Sequence, residues 1–320
     1  MNLWQRRAVR QMMLSVLPLV VICTALIIIL GLKANSIIRE LAPATATTTT
    51  TLSKDGVGRD GLEFDWTDSS GAKHHSRLVF PQAGQVKAGT PLHLQYVPSD
   101  PSRVYAGGDT LHVRLQNLLS GILFALLVLA VGVLTTAFRL WRRIVAERRP
   151  AQTHPVRWAM YRRGLIRRSW LVVNDARREW WTPVYWEPGL AALLAGTPCR
   201  VHGNPALDKL LVVEVDGTPI WPAGRRRPTR PKGKGEWVEG SVKWTKTAEK
   251  QRQREGGPDT VNVSLARHLA GDVALVLPAP LLGILWAYVD SSGPSGFGIA
   301  TALVASVLFW LPGVFGSDPT

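Results

Sequence analysis

The stretch "AGTPLHLQYVPSDP", Ala88–Pro101, holds a turn, a strand and a stop, and its first four letters recur at Ala195 in "AGTPCRVHGNP". Gly89, Thr90 and Pro91 turn the chain. Leu92, Leu94 and Tyr96 then alternate with polar residues, the period-two pattern of a strand with one buried face. Pro98 and Pro101 end the run. Working outward, Leu62, Phe64 and Trp66 alternate in the same way, "TDSSGAK" turns, and "HHSRLVF" returns. The preceding threonine run is β-branched and polar, suited to a strand or an extended stalk. Ser102–Ala106 reads as a last short strand. The second copy keeps the order: a strand from Ser169, the turn "NDARR", a return strand over Glu179–Trp186, helical turns in "PGLAALLAG", then Thr197-Pro198 and the strand "CRVHG". After "NPALD" come "KLLVVEV" and the hairpin signal Asp216-Gly217. The return strand ends 9 residues before Gly89 in the first copy, counted from Phe80, and 10 before Gly196 in the second, counted from Trp186. The repeated turn thus reads as one joint in two copies of a small β unit, the second expected over residues 166–222.

Between and around these units lie four uncharged apolar runs. They are Met12–Leu32 and Leu118–Phe138, of 21 residues each, Val273–Val289, of 17, and Phe297–Phe315, of 19. A helix rises about 1.5 Å per residue, so roughly 20 residues cross a hydrocarbon core of about 30 Å. The third run is short, and Trp286 and Tyr288 suit its interface. Pro278 and Pro280 should bend it. The first run follows Arg6, Arg7 and Arg10, as a signal peptide would, but it exceeds the usual apolar core of about 7–15 residues. An uncleaved anchor is expected.

Charge sets the expected orientation. Residues 33–117 carry 9 Lys and Arg against 8 Asp and Glu, whereas residues 139–272 carry 26 against 13. Arginines crowd the exit of the second run. Positive residues stay in the cytoplasm, so both termini and residues 139–272 are expected inside, and residues 33–117 outside. The expected fold is an α+β membrane protein with four transmembrane helices and two small β-rich domains, one on each side of the membrane. The segments are a cytoplasmic N-terminus with helix 1 over 1–32, an extracytoplasmic β domain over 33–117 and helix 2 over 118–138. A basic cytoplasmic β domain and linker follow over 139–272, then helix 3 over 273–289 and helix 4 over 297–315. The localisation this implies is a bacterial inner membrane. Cys23 and Cys199 fall in different compartments on this reading and cannot pair.

The arrangement of span, outer β domain and span, closed by "GTPLHLQYVPSDPSRVY", resembles a widespread family of uncharacterised, actinomycete-like bacterial membrane proteins. Gly89, Leu92, Leu94, Tyr96, Pro98 and Pro101 fall on that family's closing pattern, and Thr90 and Val97 depart from it where acidic residues are expected. The resemblance covers roughly the first 140 residues and implies a small extracytoplasmic β domain between two transmembrane helices, with no catalytic residues to carry over.

No motif commits the chain to a reaction. "GVGRDG", Gly56–Gly61, lacks the preceding strand and following helix of a dinucleotide site. His74 and His75 are neighbours on a strand and point to opposite faces. His93 reads as a solvated strand residue, and His202 has no cysteine or carboxylate at ligand spacing. No cofactor or metal is expected. Trp180, Trp181, Tyr185 and Trp186 could stack bases but read better as the core of a β domain. The apolar runs hold no Asp, Glu, Lys, Arg or His, which disfavours a coupled transporter.

Two features remain. Ala279, Gly283 and Ala287, and Gly298, Ala302 and Ser306, form stripes of small residues that let helices approach closely, either within one hairpin or between copies in a homo-oligomer. "RRRPTRPKGKG" offers Arg225, Arg226, Arg227, Arg230, Lys232 and Lys234 with no acid, in an extended linker set by Pro228 and Pro231. Lying between two spans, these cations suit the anionic inner leaflet of the lipid bilayer better than nucleic acid. The function expected is a non-enzymatic scaffold, sensor or accessory subunit, with protein partners open. The alternative is a membrane-bound enzyme or a transport or pore component.

Overall fold

The computed structural model describes residues 3–52, 61–80, 87–163, 166–175, 178–237, 264–289 and 293–318. It is an α+β protein in which four helical segments are long and apolar enough to cross a membrane: Arg7–Leu41, Thr110–Glu147, His268–Val289 and Gly293–Phe315. The chain is therefore read as a multi-pass membrane protein. It divides into two compact units, Cys23–Val128 and Met1–Ile22 with Leu129–Thr320.

The helices outrun the apolar runs that nucleate them. Helix α1, Arg7–Leu41, has 35 residues and α2, Thr110–Glu147, has 38. Each adds polar turns to a membrane-length core. The α2 start is capped by Asp109, whose carboxylate accepts from the backbone N–H groups of Ala106 and His112 at 3.0 and 2.8 Å. The third span is broken as its prolines predict: α3, Leu265–Val273, passes through a 3₁₀ turn at Ala274–Val276 into α4, Ala279–Val289. Helix α5, Gly293–Phe315, follows.

The unit Cys23–Val128 holds β1 (Ala46–Thr51), β2 (Gly61–Thr67), β3 (Lys73–Val79), β4 (Pro91–Val97) and β5 (Asp100–Ala106). The sheet order is β1-β4-β5, with β2-β3 a separate hairpin. The threonine run is a strand, and it laces the two together: Thr48 and Thr50 donate through Oγ1 to the carbonyls of Thr67 and Asp65 on β2, at 3.0 and 2.7 Å. The alternation read in the sequence is the burial pattern observed, with Leu62, Phe64, Trp66, Leu92, Leu94 and Tyr96 inward in one core.

The other unit is built on a seven-stranded antiparallel sheet. It contains β6 (Ala151–Arg163), β7 (Ile166–Asp175), β8 (Arg178–Val184), β9 (Thr197–His202), β10 (Val212–Val215), β11 (Thr218–Ile220) and β12 (Lys234–Trp237). The order is β11-β10-β9-β6-β7-β8, with β12 paired to β6. Strand β6 was not expected. It is 13 residues long and pairs with β7, β9 and β12, so a unit starting at residue 166 would lack its central strand. Pro155 masks it in sequence. In the sheet that proline lies opposite Pro198.

The repeated turn is the same object in both sheets. Gly89 and Gly196 both take positive φ, 86° and 75°, which glycine alone adopts without steric cost. Thr90 and Thr197 each donate through Oγ1 to the carbonyl three residues back, Lys87 and Leu194, at 2.7 and 2.8 Å. The strand that follows then pairs antiparallel with the first strand of its own unit, β4 with β1 and β9 with β6. First strand, hairpin, Gly-Thr-Pro turn and return to the first strand is the order in both units.

Candidate functional site

The basic stretch after β11 is extended, as its prolines require, but it is pinned to the sheet. Arg227 exchanges backbone hydrogen bonds with Trp181 at 2.8 Å in each direction, and Lys234 starts β12, opposite Arg162. Its six cations do not form one patch. The Arg230 guanidinium bonds the Tyr161 hydroxyl and stacks near its ring. Lys234 lies with Arg162 and Arg167 at a small cleft on the sheet edge, and Lys232 is exposed. Arg225, Arg226 and Arg227 instead line a cavity of about 620 Å³.

That cavity gathers cations from three distant segments. Helix α2 supplies Arg139, Arg142 and Arg143 on its last turns, and β7 supplies Arg168. Phe138, Trp170 and Phe315 provide an apolar lining. None of its wall residues is acidic. Among the described residues, none of these seven arginines forms an ion pair.

The seven divide by what holds them. Arg143 is buried and fully engaged: Nε donates to the Pro222 carbonyl at 2.8 Å, Nη2 to the Tyr185 hydroxyl at 3.0 Å, and Nη1 contacts Met12 Sδ at 3.1 Å. Arg139 donates to the Val314 carbonyl at 2.9 Å and lies over Phe315. Arg226 donates to the carbonyls of Asp208 and Ala206 and lies over Trp180. The side chains of Arg142, Arg168, Arg225 and Arg227 make no hydrogen bond among the described residues; three of them lie near aromatic rings, Arg142 by Phe138, Arg168 by Phe315 and Arg227 by Trp170, and Arg168 also feels the charge of Asp318. The Nε of Arg168 is enclosed and has no acceptor. Its guanidinium pKa is lowered, chiefly by burial. Tyr185, which donates to the Val314 carbonyl at 2.7 Å, has its phenol pushed up by burial.

Beside this cleft lies a closed polar knot. His268 on α3 sits with Nδ1 3.4 Å from Arg7 Nη2 and Nε2 3.2 Å from Ser317 Oγ, while Ser317 donates to Asp272 at 3.0 Å. Serine, histidine and aspartate are present, but the roles are wrong for nucleophilic catalysis. The Ser317 hydroxyl donates its hydrogen bond to Asp272 rather than to the histidine, and at Nδ1, where an orienting carboxylate would sit, stands the Arg7 guanidinium, which can only donate. Gln11 Nε2 lies 3.2 Å from both His268 Nε2 and Ser317 Oγ.

Two carboxyls near the knot are shifted. Burial pushes Glu187 up to about 7 against the opposing pull of the Ala8 N–H and of Arg7, Arg10 and Arg6. Burial likewise pushes Asp318 up to about 7, against hydrogen bonds from Ser169 and the charges of Arg168 and Arg167.

Other expected positions resolve simply. Trp180, Trp181, Tyr185 and Trp186 are buried in the sheet's cores, not displayed for stacking. His74 and His75 bond different carboxylates, Asp68 at 2.9 Å and Asp65 at 2.8 Å. The fold brings Glu214 to 3.4 Å from His202, a pairing that sequence spacing concealed. No group of metal-ligating residues occurs among the described residues. Gly56–Asp60 of "GVGRDG" lie outside them. Cys23 and Cys199 are both free and buried. Of the small-residue stripes, Ala279 and Gly283 are buried, and a Cβ on Gly283 would overlap the Thr301 side chain of α5. Ala287 and Ala302 are partly buried and Ser306 is buried. Gly298 is exposed with nothing near it, so it is not part of the hairpin contact.

The arginine convergence had a partial signal in the sequence. Arg139, Arg142 and Arg143 are spaced three and four apart, on one side of a helix. That Arg168 and Arg225–Arg227 join them had none. Comparison with known proteins returned no match: no family model fits the sequence, and neither a curated protein nor a solved structure matches it.

Proposed function

We propose that the chain is a non-enzymatic, multi-pass protein of the bacterial inner membrane, a scaffold, sensor or accessory subunit whose larger β domain is held against the anionic cytoplasmic leaflet. On this reading both termini and residues 139–272 are cytoplasmic, residues 33–117 are outside, and one β domain lies on each face. The resemblance of the first 140 residues to membrane proteins with a small extracytoplasmic β domain belongs to the same reading. The observation that carries it is the meeting of Arg139, Arg142 and Arg143, at the end of a membrane-length helix, with Arg225–Arg227 around one cavity. Cations at the end of a span lie at the level of the headgroups. Each contributes about 1 kcal/mol near an anionic surface, and such residues are retained in the cytoplasm.

Orientation is the test. In a background lacking Cys23 and Cys199, Ser70→Cys and Ala206→Cys place thiols at exposed positions in the two units. An impermeant maleimide should label the Ser70 variant in intact cells and the Ala206 variant only after lysis. The opposite pattern would overturn the reading.

A further inference from the structure

We infer that the arginine-lined cavity is a discrete binding site for the phosphate headgroup of an anionic amphiphile. Three of its arginines are structural. Arg139, Arg143 and Arg226 spend their N–H groups on carbonyls and the Tyr185 hydroxyl, and so fix the walls. The other four, Arg142, Arg168, Arg225 and Arg227, bring guanidiniums to the same space with no acceptor among the described residues. Like charges gathered in this way repel one another unless an anion lies between them. The Arg168 Nε is enclosed with no hydrogen-bond partner among the described residues, and the Asp318 carboxyl near it is already engaged by Ser169.

The geometry selects the anion. Guanidinium donors match the oxygens of phosphate in paired, charge-assisted hydrogen bonds, and four cations exceed what one carboxylate would neutralise. The size, about 620 Å³, lies within the range of about 300–1,000 Å³ of pockets that enclose whole small molecules. It is too large for a bare phosphate. The remaining lining is aromatic: Trp170, Phe315 and Phe138, the last on the apolar part of α2 with its ring exposed. An apolar chain attached to the phosphate can leave along that helix, where Leu134 also faces outward. A soluble phosphate would leave this side of the cavity unused.

The inference rests on the proposed seating at an anionic leaflet but is tested apart from it, because binding in detergent does not depend on orientation. The full chain in non-ionic detergent is titrated, with calorimetric readout, with dioctanoyl phosphatidic acid, dioctanoyl phosphatidylcholine and sodium pyrophosphate. Saturable one-to-one binding of phosphatidic acid is expected, with phosphatidylcholine and pyrophosphate weaker by about tenfold or more. Arg142→Gln with Arg225→Gln should weaken phosphatidic acid about tenfold or more. Neither side chain holds the fold through a hydrogen bond among the described residues, so this double variant should keep the parent's melting temperature. Arg148→Gln with Arg200→Gln removes the same charge away from the cavity and should change affinity by less than about twofold. Equal loss in the two double variants, or no saturable binding, would overturn the site. Pyrophosphate binding as tightly as phosphatidic acid would overturn the amphiphile and leave a soluble phosphate as the ligand.

Discussion

Ser169 donates a 2.8 Å hydrogen bond to Asp318 Oδ2 across 149 residues of sequence. The same hydroxyl receives the indole N–H of Trp158 at 3.0 Å, and the Asp318 backbone N–H donates to the Arg167 carbonyl at 3.0 Å. The segment after α5 is thereby stitched to the middle of β7. A carboxyl is buried in the process, and its protonation becomes part of the unit's stability.

That burial sets a pH dependence. Asp318 and Glu187 are both pushed up to about 7, from unfolded values of about 3.9 and 4.3. Below about pH 4 folded and unfolded chains both hold these protons, and the contribution to stability is whole. As pH rises towards 7 the unfolded chain releases them first, so stability falls, and above about 7 the loss levels off. The melting temperature of the purified protein in detergent should decline from pH 5 to pH 7.5. Asp318→Asn and Glu187→Gln should each flatten the decline. A melting temperature that rises over this interval in all three proteins would contradict the assignment.

The helical hairpin gives a sharper contrast. A methyl on Gly283 would collide with the Thr301 side chain, whereas one on Gly298 meets nothing within 4 Å. Gly283→Ala should destabilise by about 1–3 kcal/mol, the usual range for overpacking. Gly298→Ala should be neutral or slightly stabilising, because alanine is the better helix former. Thermal melting of the two variants in detergent distinguishes them. Equal effects would mean that the glycines serve some contact other than this hairpin.

The shared turn can be tested in both units. Gly89 and Gly196 have open space around them, so replacing either by alanine introduces no clash. The cost lies in the left-handed backbone, about 1–2 kcal/mol for an L-residue. Asparagine tolerates that conformation better and should recover part of the loss. Limited proteolysis should show Gly89→Ala opening the unit Cys23–Val128, and Gly196→Ala the sheet of β6–β12. Full resistance of both alanine variants would show that the positive φ is not required.

Local pattern was legible throughout. Four apolar runs declared four helices, alternation at Leu62–Trp66 and Leu92–Tyr96 declared strands and their inward faces, and Asp216-Gly217 declared a hairpin whose two residues take φ of 47° and 73°. These properties depend on neighbours two to four residues away, so the sequence carries them directly. Even the common order of the two units was readable, because one four-letter turn occupies the same joint in each.

What only the tertiary structure decided is what depends on residues far apart in the chain. Strand β6 carries a proline and arginines and declares no single face, yet it is the strand to which three others pair. Arg139, Arg168 and Arg227 enclose one cavity because β7 and the segment after β11 are both laid against α2. His268, Asp272 and Ser317 meet Arg7 and Gln11 because α3, the segment after α5 and the start of α1 converge. Hydrophobic burial places the elements. Polar side chains, which cannot be buried without partners, then find one another across whatever distance in sequence the packing has closed.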